Sequence, residues 1–256
     1  MFRKLACQDE TGVELTEGIE LFRRTPHALP PWSEIAISFR GLSDVELAEF
    51  PGVLWGYKLT TPLANMNIYL PWLLGELAKM ECSFRYTKLE TLGVLQNYDM
   101  IINCSGLGAR ELVDDCNMQG VRGQYIVIEK SSEAPCFYIG DDENAEGITY
   151  VFPRREDVLV GGTEEYGVES MEFEEDISSL FRRARSVAPW LGSRGAFVVR
   201  KQVVGIRPYR LGGPRVEADK TNDIPIIHNY GHGGSGFSLS WGCAREVAQL
   251  VAQEVS

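Results

Sequence analysis

The sequence predicts an α/β protein of two interleaved domains, one α/β and one built on a mostly antiparallel sheet. Three observations carry that expectation. Helical and strand patterns alternate in the first part of the chain without repeats or low-complexity linkers. From Gly120 onward, short segments of alternating apolar residues dominate. Near the C-terminus an apolar strand runs through a glycine-rich turn into a helix with an apolar stripe.

Taken in order, the elements begin with a helix at Val13–Phe22 and a strand at Glu34–Arg40, where Ile35, Ile37 and Phe39 alternate with smaller or polar residues. Ser43 is placed to cap a short helix running to Phe50, stopped by Pro51-Gly52. A strand at Val53–Leu59 precedes a helix from Asn67 to Met80, whose Pro71 is tolerable if it falls in the first turn. Strands are expected at Ser83–Leu89 and Met100–Cys104, then at Gln124–Glu129, Cys136–Gly140, Gly147–Phe152 and Val158–Gly162. The last two read as a hairpin through Pro153-Arg154-Arg155-Glu156. A helix at Glu174–Val187, a long strand at Ala196–Arg210, a short strand at Ile224–His228, the glycine-rich loop and a final helix complete the order.

Composition removes several classes of function. With 256 residues, 44% hydrophobic and 24% charged, the chain can bury a core as one large or two modest domains. A net charge of -11 and a pI near 4.9 repel a phosphate backbone, which argues against nucleic acid as a partner. The apolar runs at Ile68–Leu74 and Tyr125–Ile128 fall far short of the roughly 20 residues of a membrane span, and the N-terminus lacks the apolar core of a signal peptide. Together with a C-terminal Glu254-Val255-Ser256 that is not Ser-Lys-Leu, this makes the cytoplasm the expected compartment, with a peroxisome as the alternative. Cys7, Cys82, Cys104, Cys116, Cys136 and Cys243 show no CxxC pair and no His at ligand spacing, so they are expected as reduced core thiols with no metal. His27 follows Thr25-Pro26 in a loop and is expected at the surface; the acidic stretch Glu169–Asp176 is expected as a solvated helix start.

The most informative segment runs Ile226-Ile227-His228-Asn229-Tyr230-Gly231-His232-Gly233-Gly234-Ser235-Gly236-Phe237-Ser238. Strand, glycine turn and helix in that order let a ligand sit against backbone N–H groups at a helix N-terminus. In the helix, Phe237, Trp241, Ala244, Ala248 and Val251 recur at spacings of three and four, the stripe of a helix docked on a sheet.

His228–Gly234, followed by Trp241-Gly242-Cys243-Ala244, closely resembles the C-terminal flavin-contacting segment of D-amino-acid oxidases. Ile101-Ile102-Asn103-Cys104-Ser105-Gly106 is similar to the strand that returns to the FAD, and Arg122-Gly123-Gln124 to the turn entering the substrate domain. Gly205-Ile206-Arg207-Pro208-Tyr209-Arg210 resembles the segment carrying the substrate-carboxylate arginine. The resemblance covers nearly the whole chain and implies a partial Rossmann-like FAD-binding domain (63–119 and 206–256) interleaved with an antiparallel substrate domain (1–62 and 120–205). The chemistry it implies is oxidation of a D-amino acid, with oxygen as second substrate, to a 2-oxo acid, ammonia and hydrogen peroxide.

Within that resemblance Arg207 and Tyr150 hold the substrate carboxylate. A guanidinium offers a planar fork for bidentate pairing, and Pro208 favours an extended conformation at Arg207. Leu89, Cys104, Ser105, Gly231, Gly233, Gly234, Ser235, Gly236, Phe237 and Ser238 are matched to FAD. Glu164 and Ser235 are matched to the substrate side chain. The short Gly147–Pro153 segment looks like the D-aspartate oxidase branch, yet Glu164 stands where that branch carries an arginine.

No apolar strand followed by GxGxxG lies near the start; Gly106-Leu107-Gly108 lacks the third glycine and follows the wrong strand. The expectation is therefore a chain incomplete at its N-terminus that holds FAD weakly. Two alternatives stay open: an inactive relative acting as a binding or scaffold protein, and another amine-oxidising flavoenzyme of the glycine or sarcosine oxidase type. The oligomeric state is not readable from these features.

Overall fold

A computed structural model describes residues 1–129, 136–141, 148–192, 197–220 and 224–255. The strands are β1 Val13–Phe22, β2 Ser38–Gly41, β3 Trp55–Ala64, β4 Ile101–Asn103, β5 Met118–Glu129, β6 Phe137–Asp141, β7 Thr149–Pro153, β8 Asp157–Gly161, β9 Glu165–Tyr166, β10 Val199–Arg210, β11 Arg215–Asp219 and β12 Ile226–Tyr230. The helices are α1 Phe2–Leu5, α2 Asp44–Leu47, α3 Met66–Lys79, α4 Ala109–Leu112, α5 Ile177–Val187 and α6 Gly236–Glu254. One sheet has the order β10-β5-β8-β7-β6-β1-β3-β2 with β9 on β5, and a second has the order β11-β12-β4. The α/β class expected from sequence is the observed one. The large sheet is mostly antiparallel, with β1 and β6 parallel; in the small sheet β12 and β4 run parallel.

The chain divides into two units. The first comprises Met1–Ser83, Gln124–Glu164 and Glu172–Val204; the second comprises Phe84–Gly123, Glu165–Met171 and Gly205–Ser256. In the first, α5 lays Leu180, Phe181, Ala184 and Val187 against Ile126, Ile128, Val151, Val158 and Val160. Burying each of the larger of these side chains contributes about 1.5–3 kcal/mol. Alternation along the strands sends Phe137 and Phe152 to the opposite face, into an aromatic cluster around Tyr57, Leu59 and Trp55. Asp176 caps α5 by accepting from the N–H groups of Ser178 and Ser179, at 3.1 and 3.0 Å.

Several expectations hold. Ser43 forms a capping box with Glu46, although the helix it starts ends at Leu47. The β7–β8 hairpin closes with Arg154 N–H on Asp157 O at 2.8 Å. Gly147 and Ala196, where two strands were expected to begin, lie outside the described residues.

Others are corrected. Val13–Phe22 is a strand, not a helix, because it is paired on both sides, antiparallel to β3 and parallel to β6. Glu34 and Ile35 lie in a 3-10 turn, and only Ser38–Gly41 pairs as a strand. Ser83–Leu89 forms no ladder among the described residues; Phe84 and Tyr86 are exposed. Pro71 is the sixth residue of α3, past the first turn. The stripe expected to dock α6 is only partly buried: the helix packs on β11 and β12, with Trp241 and Val251 half-buried. Val247 is its buried residue, while Phe237, Ala244 and Ala248 are exposed. Four of the six free cysteines are exposed, and only Cys136 is a buried core thiol. No helix among the described residues is long and apolar enough to cross a membrane.

Candidate active site

The second unit gathers four of the segments singled out in the sequence. Strands β4 and β12 are parallel, and both end in a turn at the same edge: Cys104-Ser105-Gly106 after β4, and Gly231–Ser235 after β12. That edge, at the carboxyl ends of parallel strands, is where open α/β sheets bind ligands. Gly231 is buried with φ +86°, and a Cβ there would lie 2.6 Å from the Arg210 side chain, so both the turn and the close approach require glycine. Beyond it, Ser235 N–H bonds His232 O at 3.1 Å, and α6 begins at Gly236. Gly234, Ser235, Phe237 and Ser238 are exposed, whereas Gly233 and Gly236 are half-buried.

Arg207, on β10, is half-buried. Its guanidinium lies over the bare Cα of Gly123: a Cβ there would sit 2.4 Å from both Nη atoms. Its stem passes Gly234, with Cδ 3.5 Å from the place a Cβ would take. The ring of Pro208 reaches 3.6 Å from the equivalent point on Gly106. The arginine segment, Gly123, the Ser105 turn and the glycine loop are thus neighbours within one unit, and Arg122-Gly123-Gln124, expected as a turn, is instead the middle of strand β5. Leu89 belongs to the same unit, half-buried in a stretch without regular secondary structure.

Charged groups beneath this edge are engaged. Arg122, 4% exposed, holds Glu165 through two bonds of 3.1 and 2.6 Å. Arg110 and the Gly120 N–H share Glu169, at 2.6 and 3.0 Å. Asp115 is buried and accepts from Arg210 and the Tyr230 hydroxyl, each at 2.8 Å. Burial pushes its carboxyl up, but Arg210, Tyr230 and the Asn117 N–H together hold it below the usual carboxylate value.

In the first unit, Tyr150 pairs across the ladder with Gly161, and its ring lies over Gly161 and Gly162. A Cβ on either glycine would lie 2.7 Å from the Tyr150 hydroxyl oxygen. The loop that follows is tightly mounted. Gly162 N–H bonds Ile148 O at 2.9 Å, Arg183 donates to Gly162 O at 3.2 Å, and Thr163 accepts the Gln124 N–H at 3.1 Å. Glu164 stands exposed at the end of this mount. Glu165 beside it is held by Arg122; within the acidic stretch Glu169 and Glu175 are each taken by an arginine, and Asp176 caps the start of α5.

Sequence reasoning missed three buried groups: Gln124, whose side chain accepts the Glu174 and Glu175 N–H groups, Asn103 and His228. Asn103 and His228 both lay inside quoted motifs, but cross-strand pairing has no signal in a single sequence.

A flavin dinucleotide fits the residues present. Ser105 Oγ and Asn229 Oδ1 are buried without a hydrogen-bond partner beside the ends of β4 and β12, and three of the five residues of the adjoining Gly231–Ser235 loop carry no side chain. Orphaned polar atoms at such an edge are what a polar ligand satisfies.

Comparison with known proteins agrees with this geometry. The family model described as DAO, FAD dependent oxidoreductase, matches residues 32–250. Over 261 residues the chain is 37% identical to the D-amino-acid oxidase of Rubrobacter xylanophilus, covering 100% of this chain and 77% of that protein. It is 33% identical over 252 residues to the D-aspartate oxidase of Homo sapiens, covering 95% and 71%. Among solved structures, the L-proline dehydrogenase from P. horikoshii shares the fold with a TM-score of 0.76 at 11% identity, covering 99% of this chain and 76% of that one. The glycine oxidase from Geobacillus kaustophilus does so with a TM-score of 0.72 at 17% identity, covering 98% and 75%.

Proposed function

The chain belongs to the DAO family of FAD-dependent oxidoreductases, and from that premise we propose that it oxidises D-amino acids to 2-oxo acids, releasing ammonia and hydrogen peroxide. The observation that carries this reading is Arg207 laid across Gly123 with its stem against Gly234. It puts a carboxylate-binding fork beside the loop matched to the flavin. The named relatives oxidise D-amino acids or D-aspartate, which supports the same reading.

In this account Leu89, Cys104, Ser105, Gly231, Gly233, Gly234, Ser235, Gly236, Phe237 and Ser238 hold the cofactor. FAD held there would supply the two-electron oxidant for the substrate Cα–H bond, with oxygen as the final acceptor. The protein's own work is alignment. Arg207 binds the substrate carboxylate through a charge-assisted fork, and Tyr150 adds a hydroxyl donor. Glu164 and Ser235 meet the side chain. The domain assignment follows, with 63–119 and 206–256 serving the cofactor and 1–62 and 120–205 the substrate.

Glu164 deepens the reading toward substrate class. It is exposed on a rigid mount, and no cation among the described residues takes it up. A cationic side chain, as in D-arginine or D-lysine, is then preferred over that of D-aspartate. The test is kcat/KM for D-arginine, D-alanine and D-aspartate with FAD supplied. The reading expects that order; a preference for D-aspartate would overturn the role of Glu164.

A further inference from the structure

Asn103 and His228 form the last register pair of β4 and β12; Asn103 ends β4 immediately before its turn, and His228 lies two residues before the end of β12. Both are buried, 3% and 0% exposed. Asn103 Oδ1 accepts the Ser105 N–H at 3.1 Å, and the other end of its amide lies 3.2 Å from His228 Nδ1. Because Oδ1 must face the Ser105 N–H, the atom facing the imidazole is the NH2 group, a donor. His228 Nδ1 must therefore be bare, and the ring hydrogen sits on Nε2, 3.5 Å from Asp219 Oδ2. A bare Nδ1 is the only state of His228 that holds the Asn103 amide this way round.

We propose that Asn103 is a positioning residue for the flavin cofactor, with His228 fixing the orientation of its amide. The proposal rests on the cofactor reading given above. Asn103 shapes the turn that carries Cys104 and the partnerless Ser105 hydroxyl, and Gly106 continues that turn at φ +59°. A second proton on His228 would set N–H against NH2. The amide would turn over, Oδ1 would leave Ser105, and the turn would open.

The groups facing His228 act in both directions, and burial tips the balance toward the neutral ring. From β11, Glu217 is its register partner, with Arg215 and Asp219 on the same strand. From its own strand, the ring of Tyr230 meets it edge-on at 5.6 Å. From α6, which packs on β11 and β12, Glu254 is taken by Lys220 at 2.9 Å. Burial and the charge of Arg215 lower the pKa of His228 below the ordinary imidazole value, against the opposing pull of Asp219 and Glu217. The relay is thus intact at neutral pH and fails on acidification.

The experiment measures the FAD dissociation constant by fluorescence across pH for the wild type, Asn103→Leu and Asn103→Asp, with the His228 ring titration followed by NMR. In the wild type, affinity should be constant near neutrality and fall on the acid side as His228 gains its second proton. Asn103→Leu should weaken FAD binding about tenfold at all pH values, the scale of one buried hydrogen bond. Asn103→Asp can still accept from Ser105 and also accepts from a protonated imidazole. It should keep near-wild-type affinity, raise the His228 pKa and lose the acid-side fall; a merely structural role would leave the pH profile unmoved. Equal affinities and profiles in all three proteins would overturn the proposal. A wild type that binds no FAD would overturn the cofactor reading, and the proposal with it, and is told apart because His228 would still titrate low.

Discussion

Gly123→Ala probes the proposed carboxylate fork without touching it. The new methyl group would start 2.4 Å from both Nη atoms of Arg207 and 2.5 Å from Cζ. Ordinary contact requires the guanidinium to withdraw by about 1 Å, and a misplacement of that size at a reacting centre costs up to about a hundredfold. The fold should tolerate the change. Gly123 lies in the middle of β5 without a positive φ, and the atoms that must move are the far end of a flexible side chain. Unfolding stability should shift by less than about 1 kcal/mol, while kcat/KM for a D-amino acid falls roughly 10- to 100-fold, mostly through KM. The assay is steady-state peroxide formation with added FAD, beside denaturant unfolding of the same samples. A folded Gly123→Ala with wild-type KM would refute the placement of Arg207 at the substrate carboxylate.

Four further outcomes follow from the same structure. Arg207→Ala should raise KM strongly and Tyr150→Phe mildly, since only the first removes a charged donor, worth about 1.5–3 kcal/mol; equal effects would show that charge is not what binds. Glu164→Arg should shift the kcat/KM ratio of D-aspartate to D-arginine upward by at least about fivefold, allowing for solvent screening; a constant ratio would place Glu164 in solvent. Phe181→Ala, at the centre of the α5 contact, should cost about 3–5 kcal/mol in denaturant unfolding, and a loss below about 1 kcal/mol would remove α5 from the core. Asp115, with its pKa held low, contributes stability above its unfolded value that is lost as pH falls through the folded one. The stability gap between wild type and Asp115→Asn should therefore narrow below about pH 4; a gap independent of pH would contradict the ion pair with Arg210.

The parts of the fold that were legible are those where local chemistry and tertiary setting agree. Ser43 and Glu46 announce their helix through reciprocal caps, and Pro153–Glu156 interrupts two alternating runs where the hairpin turns. Val13–Phe22 misled because its apolar spacing satisfies a helix as well as a strand, and only its two neighbours decide. Ser83–Leu89 alternates as a strand should, but a strand exists only through its pairs, and this one has none among the described residues. Strands β9 and β11 are too short and too charged to stand out: among the described residues Arg215–Asp219 is an edge strand paired with β12. At the site, the glycine loop and Gly-Ile-Arg-Pro were readable because each carries a backbone or charge requirement within a few residues. Gly123 as the seat of Arg207, and Asn103 against His228, join residues far apart in sequence, and nothing local to either end marks the contact.

The most direct measurement of the central claim is the stoichiometry of the reaction with each enantiomer. The purified chain is incubated with added FAD and either D- or L-arginine under oxygen, and 2-oxo acid, ammonia and hydrogen peroxide are quantified. The account predicts equal amounts of all three from the D-enantiomer, none from the L-enantiomer, and none when FAD is withheld. Turnover of the L-enantiomer, or no product from any D-amino acid at saturating FAD, would contradict it.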